Sequence, residues 1–175
     1  VGDDAPGERL QRLCNVLGIH TKFIRDPITE TIVKLRVISQ HQQLLRLDFE
    51  TERSLYDVVR LQKAFANKLS EADIVVLSDY GKGFIEDSQT LINAAKEAGK
   101  RVVVDPKSSN FSRYAGAFMV TPNYAEFEAC VGKCSSEQDI FERGSKLCED
   151  NEIEALLITR GEHGMTLVSP PRTPI

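Results

Sequence analysis

Three features that would mark a specialised class of protein are missing from this sequence. No run of apolar residues approaches the ~20 that a membrane-spanning helix needs, and no basic, apolar and small-residue signal segment opens the chain. Positive charge is not in excess, because 22 Lys and Arg stand against 26 Asp and Glu, for a net charge of −4. This balance argues against binding to nucleic acid or to an anionic membrane.

Cysteine is also scarce. Cys14, Cys130, Cys134 and Cys148 are too few and too scattered for a disulfide framework. The C-x3-C spacing of Cys130 and Cys134 is not completed to a zinc set by a histidine or a second cysteine pair. We therefore expect reduced thiols in a cytoplasmic protein.

What is present is typical of a globular domain. The 175 residues are 41% hydrophobic and 27% charged, so neither disorder nor a fibrous repeat is indicated. The length corresponds to one compact domain of ~100–200 residues or to part of a larger one.

The spacing of the apolar residues predicts an α/β fold. Helical spacing predicts helices over residues 4–17, 55–69, 88–98, 124–131 and 137–150. Short apolar runs predict strands over residues 73–78, 101–104, 117–120, 155–159 and 165–168, with a further candidate at 20–24. Because short apolar strands alternate with helices, we expect a mostly parallel sheet flanked by helices.

Residues 29–50 do not fit such a sheet and are predicted to form a separate β-hairpin lid. Period-two patterns over 31–38 and 44–49 are joined by a polar turn around 40–43. The face that we call the apolar face carries Val33, Leu35, Val37, Leu45, Leu47 and Phe49. The opposite, cationic face carries Lys34, Arg36, Arg46 and Asp48, together with Leu44. An isolated hairpin is marginal, so the apolar face should pack on another surface, such as a second copy of itself. The cationic face fits either an ordinary amphipathic strand pair or a lid that closes over a phosphorylated small molecule.

The candidate site lies where the predicted parallel strands end, because ligands of open parallel sheets bind beyond the carboxyl ends of the strands. The polar segments that leave those ends are residues 78–83, 105–107, 121–126 and 159–164.

Asn123 and Glu126 have two interpretations. An Asn at a helix N-cap with Glu three residues later is a capping box. Alternatively, Glu126 helps to place a hydrated Mg²⁺, since that ion prefers carboxylates and water.

The segment from Thr159 to Gly164 is either a common glycine-containing turn or a phosphate-binding loop. In the second interpretation its glycines let backbone N–H groups approach a nucleotide phosphate, and the Thr159 hydroxyl is a further donor. His163 is a loop histidine rather than an acid–base catalyst.

Asp79 and Lys82 flank Gly81 directly after a predicted buried strand. Charged loop residues are commonly just solvated. A carboxylate and an ammonium at a strand end also suit a polyhydroxylated, anionic substrate.

Taken together, these segments resemble the ribokinase (PfkB) family of sugar kinases. The family's nucleotide-side motifs are matched by residues 120–126 (Val-Thr-Pro-Asn-x-x-Glu) and 159–164 (Thr-Arg-Gly-x-x-Gly). One branch, the D-glycero-β-D-manno-heptose 7-phosphate kinases, is matched more closely by residues 31–36, 42–50, 77–83, 104–107 and 111–116. The run Gln-Gln-Leu-Leu-Arg-Leu-Asp-Phe-Glu at 42–50 is the most specific of these matches.

The resemblance implies that ATP phosphorylates heptose 7-phosphate at its anomeric hydroxyl, giving the 1,7-bisphosphate for ADP-heptose and lipopolysaccharide synthesis. It implies that ATP and Mg²⁺ are bound by Asn123, Glu126, Thr159 and Gly161, with Glu126 next to the metal. We predict that the sugar phosphate is bound by Lys34, Arg36, Gln43, Arg46, Asp79 and Lys82, which are chosen from their face and loop positions. We also expect that the protein forms a homodimer through the lid and that it is fused to an adenylyltransferase domain.

The sequence departs from the family in one respect. The Gly-Ala-Gly-Asp motif, which supplies the aspartate base in the family, does not occur in residues 1–175. We expect residues 1–175 to be a partial ribokinase-like domain that lacks the first strand and the C-terminal part of the fold and is inactive alone. Another ribokinase-type kinase with a different acceptor, or an inert scaffold fragment, remains an alternative.

Overall fold

The computed structural model describes residues 1–50, 58–81, 85 and 87–170. The chain divides into two compact units, Val1–Ala64 and Phe65–Ile175. No helix in the part of the chain that is described is long and apolar enough to cross a membrane.

The first unit contains one helix and one hairpin. Its elements are α1 (Ala5–Val16), β1 (Val33–Ser39) and β2 (Gln42–Phe49), and α2 (Val58–Ala66) begins in this unit. Helix α1 begins where the Asp4 carboxylate accepts the backbone N–H of Gly7 at 2.8 Å. The same carboxylate accepts the backbone N–H of Thr31 at 2.7 Å and its hydroxyl at 2.7 Å. These hydrogen bonds hold the pKa of Asp4 below its usual value, and the one from the Thr31 backbone N–H has the largest effect.

The hairpin forms a two-stranded antiparallel sheet of its own, as predicted. The turn is shorter than residues 40–43, because Gln40 and His41 both have positive φ and connect the strands directly. Such a two-residue turn matches the twist of the flanking strands. Val37 faces Leu45 while Ile38 faces Gln43, so that Leu44 is the extra residue of a bulge.

Cross-strand pairing confirms the two predicted faces of the hairpin. Leu35 pairs with Leu47, and Arg36 pairs with Arg46. On the apolar face Val33 is half-buried and the remaining five side chains are 39–55% exposed. This face is therefore not part of a hydrophobic core.

The prediction of a strand at 20–24 is wrong. These residues have no ladder, and the nearest pairing is a single bridge between Gly2 and Asp26. The Ile24 carbonyl accepts a hydrogen bond from the Val1 ammonium at 3.1 Å and not from a neighbouring strand.

The second unit is a five-stranded sheet with helices, in the order β3-β4-β5-β6-β7. Its elements are β3 (Ile74–Ser78), α3 (Ser88–Glu97), β4 (Arg101–Asp105), β5 (Met119–Val120), α4 (Tyr124–Val131), α5 (Glu137–Asp150), β6 (Ala155–Thr159) and β7 (Met165–Val168). Strands β3 to β6 are parallel and β7 is antiparallel to β6, which confirms the mostly parallel sheet. Short 3-10 helices cover Leu69–Glu71, Phe111–Tyr114 and Gly161–His163.

Two predicted elements of this region are shorter than expected. The helix predicted over 55–69 is α2 followed by a 3-10 turn, and its residues 55–57 lie outside the described residues. The strand predicted over 117–120 is only two residues long. The reason is that the backbone N–H of Ala117 bonds to the Tyr114 carbonyl and closes a turn there.

The core of the second unit lies against the parallel strands. Val104, Val120, Leu156 and Ile158 are 0% exposed, as is Phe127 of α4. Because β3 to β6 run parallel, the loops that follow their carboxyl ends gather at one edge of the sheet.

Candidate active site

A cavity of about 350 Å³ lies at the carboxyl ends of β3, β4, β5 and β6, entirely within the second unit. It is lined by Asp79, Tyr80, Asp105, Pro106, Lys107, Thr121, Asn123, Glu126 and Thr159. Each of the four strands thus contributes either its last residue or the residues that follow it. This is the edge at which open parallel sheets bind ligands.

Asp79 is the buried carboxylate of the cavity. It is 6% exposed, and its two oxygens accept the Tyr114 hydroxyl at 2.7 Å and the Gly81 backbone N–H at 2.8 Å. Burial, together with the hydrogen bond to Asp79, raises the pKa of Tyr114 to about 12. Tyr114 is itself 0% exposed, so the 3-10 turn at Phe111–Tyr114 fixes the position of the Asp79 carboxylate.

Glu126 is held at the start of α4 by the predicted capping box. The Asn123 side chain accepts the Glu126 N–H at 2.9 Å, and Glu126 Oε2 accepts the Asn123 N–H at 3.0 Å. Its other oxygen, Oε1, lies 3.0 Å from Lys107 Nζ. The Glu126 side chain is 17% exposed and that of Lys107 is 58% exposed. The structural interpretation of Asn123 and Glu126 is therefore confirmed, and it leaves the carboxylate at the cavity.

Thr159 ends β6 beside the N-cap of α4. A bridge joins Asn123 to Thr159, and the Thr159 N–H donates to the Pro122 carbonyl at 2.9 Å. Gly161 follows with φ of +60°, and a Cβ added there would meet no other heavy atom within 4 Å. Arg160 turns away, donating to Glu137 at 2.5 Å and to Thr166 at 3.1 Å.

The acidic residues of the cavity fit a hydrated Mg²⁺. Asp105 and Glu126 both line it, and Mg²⁺ is usually bound by one or two carboxylates together with water and substrate phosphates. Among the residues that are described, no group of three or more His, Cys, Asp or Glu forms a closed metal cage. A site of this kind would take the metal together with a phosphate ligand.

The predicted site residues fall into four groups. Asn123, Glu126 and Thr159, predicted for the nucleotide, and Asp79, predicted for the sugar, line the same cavity. Gly161 lies two positions after Thr159 in the sequence but does not line the cavity. Lys34, Arg36, Gln43 and Arg46 lie on the hairpin of the first unit. Lys82 lies outside the described residues.

The charges on the hairpin's cationic face are partly paired with one another. Arg46 donates to the Asp48 carboxylate twice, at 2.9 and 2.7 Å. These bonds raise the pKa of Arg46 and lower that of Asp48. Lys34 lies 3.6 Å from Glu50, whereas Arg36 stands directly across from Arg46.

Sequence reasoning gave no role to Asp105, Lys107 and Thr121, which line the cavity and lie in the polar segments it singled out, and it missed Tyr114, which holds Asp79 from outside the lining. Asp105, Lys107 and Thr121 lie within three residues of predicted strand ends, and this position was the available signal. Tyr114 gives no such signal, because it reaches Asp79 across 35 positions of the chain.

Comparisons with known proteins agree with this architecture. Residues 1–173 match the sequence profile of the pfkB family carbohydrate kinases. The chain is 46% identical over 175 residues to "Bifunctional protein HldE" of Chromohalobacter salexigens, covering 100% of this chain and 37% of that protein. It is 47% identical over 173 residues to the protein of the same name from Klebsiella pneumoniae (strain 342), covering 99% and 36%. The chain thus spans just over a third of the length of these curated relatives.

Solved structures share the fold. Ribokinase from Giardia lamblia superposes with a TM-score of 0.73 at 16% identity, over 97% of this chain and 54% of that one. Phosphofructokinase-2 from Escherichia coli in complex with fructose-6-phosphate gives 0.69 at 16% identity, over 100% and 61%. These likenesses confirm the predicted ribokinase-like fold and that the chain covers part of it.

Proposed function

This chain belongs to the pfkB family of carbohydrate kinases, and we propose that its protein transfers the γ-phosphoryl group of ATP to the anomeric hydroxyl of D-glycero-β-D-manno-heptose 7-phosphate. Two observations support heptose 7-phosphate as the acceptor. They are the five sequence runs that resemble heptose 7-phosphate kinases and the 46–47% identity to proteins named HldE.

The observation that carries the proposal is the cavity at the ends of the parallel strands. There Asn123, Glu126 and Thr159, predicted for the nucleotide, line the same space as Asp79, predicted for the sugar. Phosphoryl transfer depends on positioning and charge stabilisation more than on covalent help from the protein. A cavity that places residues for the phosphate donor beside a residue for the acceptor sugar is suited to this reaction.

On the nucleotide side, Glu126 and Asp105 would hold a hydrated Mg²⁺, which neutralises phosphate charge when bound. The Thr159 hydroxyl and the exposed backbone of Gly161 supply donors to the phosphates. In the reaction the bond from the γ-phosphorus to the bridging oxygen breaks, a bond to the sugar oxygen forms, and the hydroxyl proton passes to a base. By the family resemblance that base belongs to a Gly-Ala-Gly-Asp motif, so we assign it to no residue of 1–175.

On the sugar side, we assign Asp79 and Lys82 to the hydroxyl groups and the cationic face of the hairpin to the 7-phosphate. The pairing of Arg36 with Arg46 places two positive charges directly opposite each other. Like charges in that position destabilise a hairpin, and a bound anion relieves their repulsion. Gln43, opposite Ile38, extends the polar edge of this surface.

We further propose that two copies of the protein pair through the apolar faces of their hairpins, in the cytoplasm. Supporting this, Leu35, Leu47 and Phe49 are 48%, 39% and 55% exposed on a sheet of only two strands. Sedimentation of Leu47→Asp should show monomers, whereas Leu44→Asp, at the bulge outside this face, should remain dimeric. Dimeric Leu47→Asp would refute this pairing. The complete protein is also proposed to carry an adenylyltransferase domain, following the same resemblance.

The test is a kinase assay of the complete protein with ATP and Mg²⁺. Heptose 7-phosphate, fructose 6-phosphate and ribose are each varied, and ³¹P NMR identifies the product. We expect kcat/KM to be highest for heptose 7-phosphate and a new phosphate at the anomeric carbon. A preference for fructose 6-phosphate or ribose would indicate another kinase of the family, and transfer to none of the three would indicate an inert scaffold.

A further inference from the structure

The described lining of the cavity is rich in negative charge and contains one cation. Of the nine described residues that line it, Asp79, Asp105 and Glu126 are carboxylates and Lys107 alone is basic. ATP adds further negative charge to this space. Nucleotide binding therefore requires that each positive group in the cavity be placed where phosphate charge gathers.

Lys107 lies between the two sides of the cavity. A Cβ added to Gly81 would stand 3.5 Å from Lys107 Cγ, so the lysine stem runs along the loop that follows Asp79. Gly81 has φ of +65°, a conformation that favours glycine there. At its other end, Lys107 Nζ lies 3.0 Å from Glu126 Oε1 at the start of α4. One side chain thus joins the predicted sugar loop to the predicted nucleotide helix.

The contact with Glu126 is suited to exchange. With 58% of its side chain exposed, Lys107 forms an ion pair that contributes little to stability. The Glu126 carboxylate keeps its bond from the Asn123 N–H when the lysine leaves. Glu126 therefore stays in place whichever cation it faces.

We propose that Lys107 is a catalytic residue that binds the terminal phosphate of ATP, after its ammonium has given up Glu126 to the divalent metal ion. This inference rests on the proposed kinase function of the second unit. In the exchange no covalent bond changes. Glu126 exchanges the Lys107 ammonium for the metal ion. Lys107 exchanges the Glu126 carboxylate for the phosphoryl group that is transferred from the nucleotide to the sugar. Lysine serves here as a mobile point charge.

The first test is nucleotide binding, which needs no sugar and no turnover. Calorimetry of the complete protein compares Mg²⁺ with ADP against Mg²⁺ with the non-hydrolysable ATP analogue AMP-PNP. Lys107→Met should weaken AMP-PNP binding by about 10- to 100-fold, the loss typical of a charge-assisted contact. ADP, which has no terminal phosphate, should bind within about threefold of wild type, and Lys107→Arg should keep most AMP-PNP affinity because it keeps the charge.

The matched control is Lys68→Met, which removes a lysine that pairs with Glu71 at 2.7 Å outside the cavity lining. It should leave both affinities unchanged, and thermal unfolding should show that all variants are folded. AMP-PNP binding by Lys107→Met at wild-type strength, or an equal loss for ADP and AMP-PNP, would overturn the inference.

The binding experiment and the kinase assay together separate this inference from the proposed acceptor. If Lys107→Met selectively loses AMP-PNP but wild type phosphorylates a sugar other than heptose 7-phosphate, the role of Lys107 is supported and the proposed acceptor fails. A wild-type protein that binds neither nucleotide overturns both.

Discussion

The hairpin and the cavity hold their charged residues in opposite ways. On the hairpin, Arg46 donates hydrogen bonds to Asp48 of the same strand, and both side chains are at least one third exposed. In the cavity, Asp79 is 6% exposed and is tied to Tyr114, which lies 35 positions away in the chain. The hairpin arrangement is local and open to exchange with solvent anions. The contact between Asp79 and Tyr114 is fixed by packing and is already in place before any ligand arrives.

The largest effect is expected from Glu126→Gln in the cavity. The complete enzyme should lose about 100-fold in kcat and need more Mg²⁺, since the charge that faces the metal is gone. Helix α4 should stay intact because Gln is also accepted at the third position of a capping box. The measurement is turnover as a function of Mg²⁺ concentration.

Asp139 offers a matched control for this variant. It occupies the same position in the capping box of α5, with Ser136 as the N-cap, and does not line the cavity. Asp139→Asn should leave the Mg²⁺ dependence unchanged. If Glu126→Gln did the same, the role of Glu126 would be reduced to helix capping.

On the hairpin, Arg46→Ala should raise KM for the sugar phosphate by about 10- to 100-fold, because Arg grips a phosphate through parallel N–H bonds. KM for ATP and activity on unphosphorylated heptose should barely move. Steady-state kinetics with each substrate varied in turn measures this, and Arg12→Ala, an exposed arginine of α1, is the control. Equal losses for phosphorylated and unphosphorylated heptose would contradict the assignment.

Tyr114→Phe tests the fixed carboxylate of the cavity. Removing the hydroxyl leaves Asp79 Oδ2 without its buried donor, so urea unfolding should show a loss of about 1–3 kcal/mol. The wild-type pKa of about 12 lies above the usual value of 10.0, so the stabilisation is complete below about pH 10 and falls as pH rises to about 12.

The variant should lack that alkaline fall, which is measured by repeating the unfolding at several pH values. Tyr80→Phe, at an exposed position of the same cavity, is the control and should unfold like wild type. An undiminished stability of Tyr114→Phe would show that the hydroxyl does not hold Asp79.

The smallest effect is expected from Asp48→Asn. Freeing the Arg46 guanidinium from its competing carboxylate should lower KM for the sugar phosphate by roughly two- to fivefold. The gain should vanish in an Arg46→Ala background, which a double-mutant cycle measures. A gain that persists without Arg46 would mean that Asp48 acts through another group.

The elements that the sequence predicted well are those whose pattern lies within a few residues. Helices α4 and α5 and strands β6 and β7 have the predicted bounds. Their caps and apolar runs are local. The failed strand at 20–24 has two apolar residues, Phe23 and Ile24, but no neighbouring strand in the described structure to pair with. Short apolar runs do not state whether a partner exists, so such predictions fail where pairing is absent.

The site could be predicted in part for the same reason. Asn123, Glu126, Thr159 and Asp79 follow strand ends, and the topology of a parallel sheet brings such ends together. The two faces of the hairpin also came from period-two alternation alone, and the cross-strand pairs confirm them. The bulge at Leu44 was beyond that pattern, because a bulge changes the register without changing the alternation of the sequence.

The sequence by itself determined the family, through the runs that resemble it. It also determined the parallel sheet and the residue types at its carboxyl edge, because periodicity, capping and turn chemistry act over neighbouring positions. Only the tertiary structure decided which of these residues touch. The Tyr114 hydroxyl holds Asp79, the Lys107 ammonium lies on Glu126, and Arg46 is engaged by Asp48. Each contact joins side chains whose meeting depends on strand order, loop path or rotamer. A hydrogen bond or ion pair forms only at a distance of about 3 Å, which no pattern along the chain specifies.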